Sequence, residues 1–185
     1  ALLDAMQKVC PITPNQDGAE TPAYVYSHYF LGRRATALAR IDLLNKLSQN
    51  FDVTVYTHAD CKDILPTAIY GGKIDYYDTM PTVFQHSKLN LNITLKTIQT
   101  GIPLRAWDIL GCGGFLLTNF QQELCDFFIP GEDFVYYESP ADAIEKAAYF
   151  LSHDRERQEI THNAFEKIAA SHTFHHRVQS MFEII

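Results

Sequence analysis

The hydrophobic pattern of the chain switches repeatedly between a period of two and a period near that of a helix, which predicts strands and helices in alternation. Tyr24 to Leu31 is aromatic and apolar and reads as a buried strand, broken by Gly32-Arg33-Arg34; Leu38, Ile41, Leu44 and Leu47, spaced by three, then mark a helix. Phe51 to Thr57 (FDVTVYT) alternates apolar and polar residues, is rich in β-branched side chains and follows a tight connection at Gln49-Asn50, so it predicts a second strand. A strand, a helix and a strand in this order predict a parallel pair with a right-handed crossover.

Farther along, Ile69-Tyr70-Gly71-Gly72 reads as a strand end, Asp78 to Gln85 as a short helix with Pro81 in its first turn, and Leu89 to Leu95 as a strand carrying alternate asparagines. Pro103 opens a helix through Leu110, Gly111 to Gly114 turns the chain, and Phe115 to Thr118 is a compact buried strand. Glu123 to Phe128 predicts a short helix and Phe134 to Tyr137 a short edge strand after the Pro130-Gly131 turn. Ser139-Pro140-Ala141-Asp142 combines an N-cap, a first-turn proline and an acid three residues after the cap; Ile144, Ala147, Ala148 and Leu151 supply the apolar stripe of the first of two or three closing helices. The predicted class is α/β: a Rossmann-like, open, mainly parallel sheet with helices on both faces and a helical C-terminus. Such sheets bind ligands outside the carboxyl ends of their strands, so the turns after strands are where chemistry is to be sought.

Composition narrows the partners. With 185 residues, 46% of them hydrophobic, the chain can build one well-buried core. A formal net charge of −7 argues against an extended phosphate backbone as partner, and no run approaches the roughly 20 apolar residues of a membrane span. Together with an N-terminal stretch that lacks a basic region before a long apolar run, this predicts a cytoplasmic protein. Cys10, Cys61, Cys112 and Cys125 are scattered and read as reduced thiols. Ala1 to Val9 reads as a helix tail stopped by Cys10-Pro11. Residues 1–22 are therefore expected to be the tail and linker of a preceding domain, and residues 23–185 the ligand-binding domain.

Two turns carry candidate chemistry. Gly32-Arg33-Arg34, between the expected strand and a helix start, suits a phosphate through free N–H groups, the helix dipole and Arg33; exposed arginines that merely solvate the surface are the equal alternative. In Thr100 to Trp107, Gly101 permits close approach of a ligand and Pro103 pre-sets a helix on which Arg105 and Asp108 are neighbours on one face. Arg105 suits a diphosphate and Asp108 a pair of adjacent hydroxyls, while a surface salt bridge between the two is the plainer reading. Asn90 and Asn92 share a face of their strand, where a ligand-facing role is open, and Thr118 and Asn119 end the next strand, where turn capping is the alternative. His172, His175 and His176 do not make a metal site by spacing: two are adjacent and no carboxylate or Cys completes a set. No G-x-x-x-x-G-K-[ST] loop is present.

The run from Gly101 to Asn119, GIPLRAWDILGCGGFLLTN, continuing through Gln122-Glu123-Leu124 and Pro130-Gly131-Glu132-Asp133, resembles the CgeB-like (spore-maturation-type) glycosyltransferases, as do Ser87 to Asn92 before it and His172-Thr173-Phe174 with Arg177 after it. The resemblance extends from about Gly32 onward. It implies the C-terminal, donor-binding half of a GT-B enzyme that transfers a sugar, of hexosyltransferase type, from a nucleoside-diphosphate donor, without a metal or other cofactor. The partners it implies are that donor and a preceding N-terminal GT-B domain, which would supply the acceptor site and any catalytic base.

In the wider retaining GT-B group, two glutamates eight positions apart contact the sugar and the ribose; here the second position is Asp108 and the first is Thr100, so the sugar-contacting carboxylate is absent. The resemblance assigns Arg33 and Arg105 to the diphosphate, Asp108 to the ribose, and Gly113 and Gly114 to the turn that seats the motif helix; Thr100 and Gly101 before that helix, Asn90 and Asn92 on their strand face, and Thr118 and Asn119 at the next strand end, facing the donor sugar or the partner domain, complete the expected donor-binding set. A non-catalytic interaction domain that has kept the fold is the alternative. A receiver or flavodoxin-like module is disfavoured by the arginines at the first turn.

Overall fold

The computed structural model describes residues 2–13, 18, 20–98 and 100–183. Helix α1 (Leu2–Val9) leads to a linker that lies partly outside the described residues. Helix α2 (Pro22–Val25) runs through a π-helical segment (Tyr26–Gly32) directly into α3 (Arg33–Ser48). The remaining order is β1 (Thr54–Tyr56), β2 (Ile69–Gly72), α4 (Met80–His86), β3 (Asn90–Asn92), α5 (Leu104–Gly111), β4 (Leu116–Asn119), a 3-10 helix (Gln122–Asp126), β5 (Val135–Tyr137), α6 (Pro140–Ser152), α7 (Asp154–Ser171) and α8 (Phe174–Glu183).

The expected strand at Tyr24 to Leu31 is a helix, and with it the expected turn at Gly32-Arg33-Arg34 disappears. The start signal was present: Thr21 caps the helix through its hydroxyl, which accepts from Tyr24 N at 3.1 Å, and Pro22 takes the first turn. Gly32 has ordinary helical angles, φ −65° and ψ −42°. Its lack of a side chain serves contact instead, since a Cβ there would lie 2.0 Å from Thr97 Cγ2. The segment is tied down by Tyr26, whose buried hydroxyl donates to Cys10 O and to Gln7 Oε1.

All strand pairings are parallel, β1 with β2 and, in a second sheet, β3–β4–β5. In the second sheet Asn90 faces Leu116 and Leu117 faces Val135. Consecutive Leu116 and Leu117 point into two different cores, as the continuous apolar run of a doubly covered strand requires. On one face Leu43, Leu47, Phe115, Leu117, Ala147 and Phe150 pack together from α3, from β4 and the residue before it, and from α6. On the other, Ala106, Ile109, Leu110 and Leu116 meet Phe84, Phe128 and Ala164 from α4, the turn before β5, and α7. The α6 start is as expected, with Ser139 accepting from Asp142 N and Pro140 in the first turn.

Between α5 and β4 the chain reverses through Gly113, at φ 70°, and then Gly114, where a Cβ would stand 2.7 Å from Phe84 O and 2.8 Å from Asn90 Nδ2. Backbone and a buried amide cannot yield cheaply, so Gly114→Ala is expected to cost about 1–3 kcal/mol. Urea unfolding should show a lower midpoint at unchanged slope.

Candidate functional site

The carboxyl ends of β3 and β4 open on two loops, residues 93–98 with 100–103 and residues 120–121, which a set of side-chain hydrogen bonds holds together. Asn92 Nδ2 donates to Thr94 Oγ1 at 3.1 Å and to Thr118 Oγ1 at 3.0 Å, and Thr94 N donates to Asn119 Oδ1 at 2.7 Å. Asn92 and Thr118 are buried and bonded to each other, so their side chains are engaged in this frame instead of being open to the surface as the strand-face reading expected. The first loop is held from behind by α3: Lys96 N donates to Thr36 Oγ1 at 3.1 Å, and Arg40 Nη2 to Ile93 O at 3.0 Å. Its far end, Gly101, has φ 94° and donates its N–H to the Glu123 carboxylate.

Arg105 and Asp108 lie on α5 as the spacing predicts, but they form no ion pair with each other, and Arg105 is exposed with no hydrogen-bond partner among the described residues. Asp108 instead accepts the hydroxyl of Tyr76, from the loop after β2. The Asp108 hydrogen bond, with lesser contributions from burial and like charge, pushes the Tyr76 phenol up to about 12. Desolvation, and then the like charge of Arg105, hold the Arg40 guanidinium below its ordinary value. The cation that accompanies Arg105 is thus Arg40. Arg33 sits two turns earlier in an unbroken helix, its guanidinium 5.1 Å from the centre of the Tyr29 ring, with no helix start beside it.

Asn90, Gly113 and Gly114 fall at the opposite, amino end of the sheet. Asn90 Nδ2 donates to Phe84 O at 2.9 Å and the glycines make the turn before β4. That end also holds a cavity of about 410 Å³ lined by Ser87, Lys88, Cys112, Gly113, Arg157 and His162. A smaller cleft of about 230 Å³ lies at the carboxyl end, among Lys96, Gly101, Asn119, Gln121, Gln122 and Glu123. The smaller cleft stands where parallel sheets bind ligands. His172 is committed elsewhere: its Nδ1 meets Arg177 Nη2 at 2.8 Å and its ring packs on Trp107, Phe127 and Phe128.

A family described as glycosyl transferase-like matches residues 33–183. The chain belongs to the glycosyl transferase-like family. No curated protein matches it in sequence. Among solved structures, the C-terminal domain of a glycosyl transferase group 1 family protein (LpcC) from Francisella tularensis superposes with a TM-score of 0.58 at 12% identity, covering 75% of this chain and 80% of that one. This likeness is one of fold, and it gives the architecture as that of the C-terminal half of a GT-B enzyme. No helix among the described residues is long and apolar enough to cross a membrane.

Within this glycosyl transferase-like domain the residues around the candidate site to which the sequence assigned no role there are Arg40, Tyr76, Gln121 and Glu123, the last noted only as part of the motif Gln122-Glu123-Leu124. Arg40 carried a weak signal, standing two turns after Arg33 on the same helix. Tyr76 carried none, because its partner is 32 positions away. Removing that carboxylate gives a direct check: in Asp108→Asn, the Tyr76 phenol should move down from about 12 toward the ordinary 10.0, read by NMR of labelled tyrosines. Folding raises this phenol, so its contribution to stability is present below the unfolded value near 10 and is lost as pH climbs through about 12.

Proposed function

We propose that the chain is the donor-binding domain of a GT-B glycosyltransferase of the CgeB-like type, and that it holds a nucleoside-diphosphate sugar at the carboxyl edge of its parallel sheet. The observation that carries this is the uncommitted Arg105 guanidinium beside Arg40, one helical turn from the Asp108 carboxylate. Two guanidinium groups suit the negative charge that gathers on a departing diphosphate, and they act without a metal. Asp108 suits the vicinal hydroxyls of the ribose, each of which donates to one carboxylate oxygen. The sugar would then be presented to a preceding N-terminal domain that brings the acceptor and any base.

A non-catalytic domain that has kept the fold is the second reading, favoured by Thr100 at the position where the resemblance calls for an acid. Calorimetry with UDP, GDP and TDP and their sugar-linked forms separates the two. Donor binding predicts saturable affinity for one nucleotide, weakened roughly 10–100-fold in Arg105→Ala and in Asp108→Ala, the loss expected for a charge-assisted hydrogen bond. No binding of any nucleotide, with partner association intact, would favour the interaction domain.

A further inference from the structure

The larger cavity, of about 410 Å³, lies at the amino end of the second sheet, between the turn after α4, the turn between α5 and β4, and one face of α7. Its lining holds Lys88, Arg157, His86 and His162 but no carboxylate, although the chain as a whole carries a formal net charge of −7. A concave surface of one sign concentrates ligands of the other. The groups on it are available. The Lys88 ammonium, the His162 ring and the side-chain amides of Gln85 and Gln158 have no partner among the described residues. Arg157 is buried and fixed: its Nη1 donates to Phe150 O at 2.5 Å and stands 2.8 Å from Asp154 Oδ1, and its other N–H groups make no hydrogen bond among the described residues. The Asp154 side chain is 65% exposed and screened by solvent, so it offsets only part of that charge. Nor are these cations caps for the two helices that finish here. Thr82 O, Val83 O and Phe84 O already accept from His86, Ser87 and Asn90, and Asp108 O, Ile109 O and Leu110 O from the N–H groups of Cys112, Gly114 and Gly113.

We propose that this cavity is a second ligand site, separate from the donor's, and that it takes a phosphorylated sugar. Lys88, Arg157 and His162 supply charge-assisted donors for the phosphate. The volume falls within the roughly 300–1,000 Å³ of small-molecule pockets, more than a bare phosphate fills. The remaining walls match a hydroxylated ring: the amides of Gln85 and Gln158 both donate and accept, and Phe165, 41% exposed, offers an apolar face. The four residues of β4, roughly 13 Å of strand, separate the cavity from the carboxyl edge, so the site does not depend on the donor reading.

Calorimetry on the intact protein with glucose 6-phosphate, ribose 5-phosphate, inorganic phosphate and glucose tests this. A sugar phosphate should saturate one site, roughly tenfold tighter than inorganic phosphate, with no heat from glucose. Lys88→Ala and His162→Ala, both at exposed side chains, should each weaken that binding roughly 5–20-fold and leave the urea midpoint in place. Arg157 is kept in these variants because its guanidinium also ties down the end of α6. Failure of both sugar phosphates to bind, affinity no greater than that for inorganic phosphate, or binding that survives both substitutions would overturn the site. Loss of binding in Arg105→Ala would do the same, since the anion would then sit at the carboxyl edge.

Discussion

The side-chain lock across the carboxyl ends of β3 and β4 is the constraint on which both the core and the site depend. These strands have only three and four residues, too few for their backbone pairing alone to fix the loops beyond them. Asn92, buried between Thr94 and Thr118, extends the ladder by one side-chain layer, and Asn119 adds a return bond to the backbone of the opposite loop. Tyr137 reaches Asn92 O from β5 at 3.4 Å. Every member of this buried set has a partner, and only a fully satisfied polar network stiffens a core instead of weakening it. Two loops of different sequence origin are thereby held at a fixed separation, and the cleft is the space between them.

The same physics decides which site residues could be found from sequence. Arg105 and Asp108 were readable because helical spacing puts positions three apart on one face whatever the rest of the chain does. Gly101 was readable because a glycine before a helix-opening proline points to unusual backbone, and its φ of 94° is that backbone. Asn90 and Asn92 share a strand face as expected, yet they serve the two ends of the sheet, since one residue from either end of a three-residue strand is already a different environment. Glu123 and Gln121 were not readable as neighbours of Gly101, because only the β3–β4 register brings residues 101 and 123 together.

The misread segment follows from a competition between two signals. Aromatic density at Tyr24, Tyr26, Tyr29 and Phe30 favours a strand, whereas Thr21-Pro22 favours a helix start. The cap prevails: among the described residues the two sheets take their strands from residue 54 onward, and this segment pairs with none of them. Once the helix is continuous, Gly32 cannot expose N–H groups to an anion, and the phosphate argument for Arg33 falls with it. The helix still contributes to the site by a different route, with Thr36 and Arg40 holding the loop after β3.

Tyr76 adds a condition to any use of Asp108. Its phenol titrates far above neutrality, so at physiological pH it remains a donor, and it engages one of the two carboxylate oxygens. A ribose diol arriving on the proposed reading would have to share the carboxylate with Tyr76 or displace it, and the exchange of one hydroxyl donor for another contributes little by itself. Net affinity at this point must then come from the second ribose hydroxyl, which reaches the oxygen Tyr76 leaves free, and from the diphosphate on Arg105. On the proposed reading, Tyr76 therefore narrows what Asp108 offers a ligand to the acceptor positions that the phenol leaves open.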